Sequence, residues 1–409
     1  MTHLSGFKRR DILGAAAALA VGSPFARAAD AAPIKVGINA AIQLQAGRDI
    51  VDGAQLAMDE INAKGGVLGR PLTMVVADET EDPEKGVSAV KKLISDDKVN
   101  VLIGGYNSGV TLAELPHIVG AKMLALTVGA ASPAITAGVK KNYERNKYIF
   151  RTGVLNSLHL ANGTLDYMTG FLHGKRGMTK FALVGESAKW VQDLMPFLKK
   201  NATAKGLNVV MDEIFDTGTT NFSPLLSKVK NSGAEYMVLI NSHAASDVLA
   251  KQWYDARTPV PYGGIDVKSQ DTDFFDRVGG KCISEVAFNF IVRAPISPKT
   301  IPFFDAFEKK YKRQPVYTGS GAYDTVYAYA DAVTRAGSLD TDAIIKALEK
   351  IDMVTTTGRM QLDDSHDLKA GPGLVELLFA QWQEGGKRAI IWPEGSKTGD
   401  YINPPWIKS

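Results

Sequence analysis

Between Ile34 and Pro133 the sequence repeats one unit: a short apolar run, a small polar loop, then a stretch with apolar residues at helical spacing. The runs at 34–38, 72–76, 99–103 and 123–127 are apolar enough for strands covered on both faces. Between them, Ala54, Ala57, Met58 and Ile61 form one helical stripe ahead of Gly65-Gly66, and Val87, Val90, Leu93 and Ile94 form another after Asp82-Pro83. Strands alternating with helices at this spacing predict a parallel sheet joined by crossover helices.

The alternation restarts after Phe150-Arg151-Thr152-Gly153, with strands expected at 181–184, 209–211, 236–240 and 286–288 and helices at 192–205 and 222–230. A chain of 409 residues, 45% hydrophobic, can bury two such α/β lobes. Farther on, Tyr323, Val326, Tyr327, Ala330 and Val333 predict a helix over 321–336 whose stripe faces core. A helix at 340–350 and strands near 359–362 and 375–379 follow. The tail Pro404-Pro405-Trp406 suits neither regular element and is expected to pack on a surface.

Open parallel sheets take small ligands beyond the carboxyl ends of their strands. Those ends carry Tyr106-Asn107-Ser108-Gly109 after the third strand and Gly129-Ala130-Ala131-Ser132-Pro133 after the fourth. Ser108 is expected to open a helix, either simply as its N-cap or as part of a site where the helix dipole and free N–H groups favour a carboxylate.

The one long uncharged apolar stretch, 12–26, is too short to span a bilayer. Lys8-Arg9-Arg10-Asp11-Ile12-Leu13 precedes it and Ala26-Arg27-Ala28 follows, so residues 1–28 resemble a twin-arginine export signal cleaved before Ala29, with the periplasm as destination. Its removal takes four basic side chains and Asp11, and the formal charge of +3 falls to zero. No basic block then points to nucleic acid or a membrane surface. Cys282 is the sole cysteine, which excludes an intrachain disulfide.

Enzyme signatures are absent or unsupported. The six histidines lack metal-ligand spacing, so neither metal nor cofactor is expected. Ser-x-x-Lys occurs at Ser95 and at Ser227 on polar helix faces without companion motifs, and there is no Gly-x-Ser-x-Gly elbow or phosphate-cradling loop. No catalytic activity is expected.

A family resemblance rests on Ile34-Lys35-Val36-Gly37-Ile38, on the helix from Asp52-Gly53-Ala54 into Asp59-Glu60-Ile61-Asn62-Ala63-Lys64-Gly65-Gly66, and on Gly69-Arg70, Asp78 and Asp82-Pro83. It continues through Ile103-Gly104, Ser108, Ser132-Pro133, Phe150-Arg151-Thr152, Asn221-Phe222-Ser223 and Gly358. In these the chain resembles the branched-chain amino-acid binding proteins of ABC importers. The resemblance implies a type I periplasmic binding protein: two lobes joined by three hinge crossovers near 151–153, 287–291 and 355–358. Lobe one would comprise 33–151 and 290–356, and lobe two 152–289 and 357–409.

By the same resemblance, a monomer binds a small amino acid or related carboxylate between its lobes and delivers it to a permease in the inner membrane. An amide, urea-type or aromatic carboxylate ligand, or a ligand-sensing role at a membrane receptor, are the alternatives. The site implied is Tyr106, Asn107 and Ser108, backbone donors of Gly129, Ala130 and Ala131, and Ser132. From lobe two it takes Trp190 as aromatic lid, Ser242 or His243, and Asp266 as amine partner, with Ile265 in the other register. Ala131 lacks the hydroxyl the family carries there. The family's disulfide positions match Glu81 and Asn107, and the loop after strand one offers Gln43 and Gln45.

Overall fold

The computed structural model describes residues 32–243 and 245–407. The export-signal reading of residues 1–28 lies outside these. The first sheet holds β1 (Ile34–Ala40), β2 (Leu72–Asp78), β3 (Val101–Gly104), β4 (Ala125–Thr127) and β5 (Ile149–Arg151) in the order β2-β1-β3-β4-β5, all parallel. Ile38 pairs with Val76 on one side and Ile103 on the other, so the loops after β2, β3 and β4 leave the sheet at one edge. The sequence suggested four strands here. The fifth occupies the segment read as the start of a crossover.

Helices α1 (Gln45–Ala63), α2 (Pro83–Ser95) and α3 (Ser108–Gly120) supply the connections. Asp82 caps α2 by accepting from the backbone N–H groups of Glu84 and Lys85, and Pro83 supplies a preset φ at its start. The cap of α3 is Asn107 rather than Ser108: its Oδ1 accepts from Gly109 N at 2.9 Å and Val110 N at 3.3 Å. Ser108 is the first helical residue, which frees its hydroxyl for other partners.

The second sheet runs β14-β13-β10-β9-β8-β6-β7. Its parallel part is β6 (Lys180–Glu186), β7 (Asn208–Phe215), β8 (Tyr236–Asn241), β9 (Tyr262–Asp266) and β10 (Val286–Asn289). After the two-stranded antiparallel ribbon β11 (Asp352–Thr355) and β12 (Gly358–Gln361), strands β13 (Leu378–Trp382) and β14 (Arg388–Trp392) return antiparallel against β10. Strand β9 was missed because Gly263-Gly264 reads as a turn. Both glycines lie inside the sheet, where a Cβ on Gly263 would strike the Val286 carbonyl and one on Gly264 the Leu239 carbonyl of the flanking strands.

The helix Tyr317–Ala336 begins one turn earlier than its apolar stripe implied and packs along α1. Close approach requires glycine, since a Cβ on Gly53 would meet the carbonyl of Gly319. Val326, Ala330 and Val333 are buried as the stripe predicts, while the hydroxyls of Tyr323 and Tyr327 both donate to Glu60 on α1 at 2.7 and 2.6 Å. The chain leaves β10 and packs 300–336 against α1 of the first lobe, and the segment after the β11–β12 ribbon still touches that lobe, where the His366 carbonyl accepts from Arg151 N and Asp367 from Arg151 Nε. Asp324 holds the ribbon by accepting from Thr356 N and from its hydroxyl, the latter at 2.6 Å. The tail packs as expected, with Trp406 4.8 Å from the Trp253 ring. Cys282 is buried and free, and no helix among the described residues is long and apolar enough to cross a membrane.

Candidate functional site

The carboxyl edges of the two sheets face each other across a cleft with about 440 Å³ of space between atoms, open solvent at its mouth included. Lobe one contributes Tyr106, Ser108, Gly129 and Ala131. From the opposite side come Trp190, Ser242, His243, Ile265, Val267 and Gln270. Val154, Leu160, Phe288, Phe290 and Tyr317, on and beside the crossovers, close the back.

Ser108 is a tie inside lobe one. Its Oγ accepts from Ala131 N and Ser132 N, each at 3.1 Å. Gly129 N and Ala130 N donate to the Gly105 carbonyl at 2.9 and 3.0 Å. The backbone donors expected to hold an acidic ligand group are therefore engaged within the protein, and the hydroxyl proton of Ser108 is what this loop pair can direct at a ligand. Behind it, buried Arg151 fixes the loop: its Nη1 donates to the Ala130 carbonyl, Nη2 to the Ser132 carbonyl at 2.6 Å, and Nε to Asp367 at 2.7 Å. Glu79 performs the same service for the neighbouring loop by accepting from Tyr106 N at 2.9 Å and Asn107 N at 3.2 Å. Burial and the nearby Glu114 push the Glu79 carboxyl up to about 8.

On the other wall, Trp190 opens the helix Lys189–Ala204 and its Nε1 donates to Ser242 Oγ at 3.0 Å, which fixes the indole against the cavity. Among the described residues of the wall, His243 is the cationic side chain. Burial alone would lower its pKa, but Glu186 from its own lobe and Glu81 from the facing lobe outweigh that and raise it to about 9. Nδ1 lies 2.8 Å from Glu186 and Nε2 3.0 Å from Glu81, so the imidazolium bridges the lobes. Both glutamates are held below their ordinary value by this contact, against the opposing pull of burial. Asn107 Nδ2 sits 3.4 Å from the same Nε2, so the two positions matching the family disulfide converge on His243. A second bridge joins Ser132 Oγ to Asp193 at 2.7 Å.

Four of the residues read from sequence stand off the wall. Asn107 is spent on the α3 cap and the mouth, and Ala130 is fully buried behind the loop. Ser132 is engaged with Asp193. Asp266 points away: strand side chains alternate, so Ile265 faces the cavity while Asp266 accepts from Ser246 Oγ at 2.6 Å. Burial pushes its carboxyl up to about 7. Gln43 and Gln45 pair with Asp78 and Asp49 and take no part. The aromatic back wall escaped sequence reading, although Phe288 and Phe290 stand two apart at the end of β10, a period-two signal. Tyr317 gave no signal because it precedes the visible stripe.

Residues 39–387 match the family model described as periplasmic binding protein. The Leu/Ile/Val-binding protein homolog 1 of Brucella abortus is 26% identical over 341 residues, spanning 83% of this chain and 86% of that protein. The branched-chain amino acid transporter substrate binding protein LivJ from Streptococcus pneumoniae, solved with isoleucine, superposes with a TM-score of 0.76 at 22% identity, over 88% of this chain and all of that one. A solute binding protein of an ABC transporter from R. palustris, solved with benzoate, superposes at 0.77 and 19% identity, over 92% of this chain and all of that one. With most of its length matched and the two-lobed fold shared, the chain belongs to the periplasmic binding protein family.

Proposed function

We propose that this protein is the extracytoplasmic solute-binding component of an ABC importer, exported through its twin-arginine-like leader. It closes on a small amino acid or related carboxylate between its lobes and hands it to the permease without turnover. The observation that carries this reading is one cavity lined from both sheet edges, with bridges His243–Glu81 and Ser132–Asp193 crossing between the lobes.

Within that class the wall favours an acid that lacks an amine and carries a ring. Tyr106, Trp190, Phe288, Phe290 and Tyr317 supply aromatic surface, Ser108 supplies a free hydroxyl proton, and among the described residues no carboxylate lines the cavity, Glu81 and Glu186 being engaged with His243. Burying an ammonium without a partner costs several kcal/mol. The R. palustris structure with benzoate shares the fold, whereas the Brucella relative is named for Leu, Ile and Val. A thermal-shift screen against amino acids, amides and aromatic acids tests the assignment. A true ligand at 100 times its Kd adds about 2.7 kcal/mol to the folded state, and an entirely flat screen contradicts it.

A further inference from the structure

Away from the cleft, a groove of about 1180 Å³ runs between the β13–β14 hairpin of the second sheet and the turn 312–314 that leads into the helix Tyr317–Ala336. Arg293, Lys312, Arg313, Lys387 and Arg388 line it, and no acidic residue does. Two of these cations are balanced: Arg293 by Asp305 and Glu308, Arg313 by Asp49 and Asp52. Lys312, Lys387 and Arg388 form no ion pair among the described residues.

Arg388 is the informative one. Its guanidinium sits over the Trp382 ring, 5.3 Å from the ring centre, and the residue is half-buried. Nη1 donates to the Gln270 carbonyl at 3.1 Å and Nη2 reaches Gln314 Oε1 at 3.4 Å, both neutral acceptors. Burial lowers its pKa to about 10, and the nearest opposing charge, Asp271, is paired with Arg277 at 3.2 Å. A guanidinium held over an indole by neutral acceptors, with donors to spare and no ion pair of its own, suits a planar or tetrahedral oxyanion that accepts through two oxygens. Two further unpaired cations at the same groove favour an anion of more than one charge.

We propose that this groove binds a polyvalent phosphate-type anion, held by Arg388 and Lys387 from the second sheet and by Lys312 from the opposite turn. The site joins segments of both lobes, and through Gln270 it touches the wall of the solute cavity. The same chemistry is offered by a free phosphate compound and by the headgroup of phosphatidic acid, a phosphomonoester that can carry two charges, so the test has two arms.

The full chain is titrated calorimetrically with sodium tripolyphosphate in 0.15 M salt, and separately floated with phosphatidylcholine vesicles that contain phosphatidic acid or with phosphatidylcholine alone. A saturable one-to-one heat, or flotation confined to the vesicles with phosphatidic acid, is the expected result and names the source. Arg388→Gln should weaken either by tenfold or more. The double variant Lys312→Gln with Lys387→Gln changes only exposed side chains and should do the same with an unchanged circular dichroism spectrum. Binding in neither arm, or binding that both variants retain in full, overturns the proposal.

Discussion

Ser108 looked in sequence like a helix cap and a ligand contact, and in the fold it is first a brace. Removing its hydroxyl leaves Ala131 N and Ser132 N without their acceptor, so Ser108→Ala should lower unfolding stability by about 1–3 kcal/mol in urea titration as well as weaken ligand binding. A loss of affinity with no change in stability would contradict the brace. His243 carries the pH dependence. Its pKa is raised from 6.5 to about 9 in the folded, bridged state, so its contribution is complete below about 6.5 and fades as pH rises through about 9. The lowered carboxyls of Glu81 and Glu186 set the opposite limit: their contribution is lost as pH falls below the ordinary glutamate range. Ligand affinity should therefore decline on the alkaline side around pH 9, and His243→Gln should flatten that limb. An unaltered alkaline profile in the variant would remove His243 from the bridge. Trp190, Ser242 and His243 were reached through the family resemblance, and all three line the cavity. Glu81 and Glu186 could not, since their role exists only once loops distant in sequence meet.

Among the elements, most strands and helices were legible because their periods are regular and their ends punctuated, as at Asp82-Pro83. The failures have local causes. Gly263-Gly264 carries turn composition, yet the neighbouring strands come so close that only glycine fits there, and β9 was lost with it. The misreading also cost the site, for a strand through Ile265 and Asp266 must send one inward and the other away. The element that ties the strand-four loop to the remainder is equally invisible in sequence. Asp367 accepts from Arg151, from Thr136 Oγ1 at 2.8 Å and from Asn156 Nδ2 at 2.9 Å, three partners each more than 200 positions away. Asp367→Asn would leave the Arg151 guanidinium buried beside a neutral group. It should cost about 3–5 kcal/mol, read as a lowered denaturant midpoint. A shift of a few tenths would show that the loop is held some other way.

At the scale of the molecule, two lobes meet over the cavity, and the polar bridges His243–Glu81 and Ser132–Asp193 cross between them. Such an arrangement closes when a ligand adds its own contacts to both walls, and a ligand shifts the equilibrium only by its differential affinity for the closed state. A verified ligand should therefore reduce the radius of gyration in small-angle scattering, and identical profiles with and without it would rule out hinge closure. The chemistry of the cavity sets which ligand that is. The most direct test compares pairs that differ only by an amine, 3-phenylpropanoate with phenylalanine and 4-methylpentanoate with leucine, by calorimetry on the same protein. The wall described here, with five aromatic side chains, the Ser108 hydroxyl as donor and no carboxylate among the described lining residues, predicts that each acid binds at least tenfold tighter than its amino acid. Tighter binding of the amino acids in both pairs would contradict it.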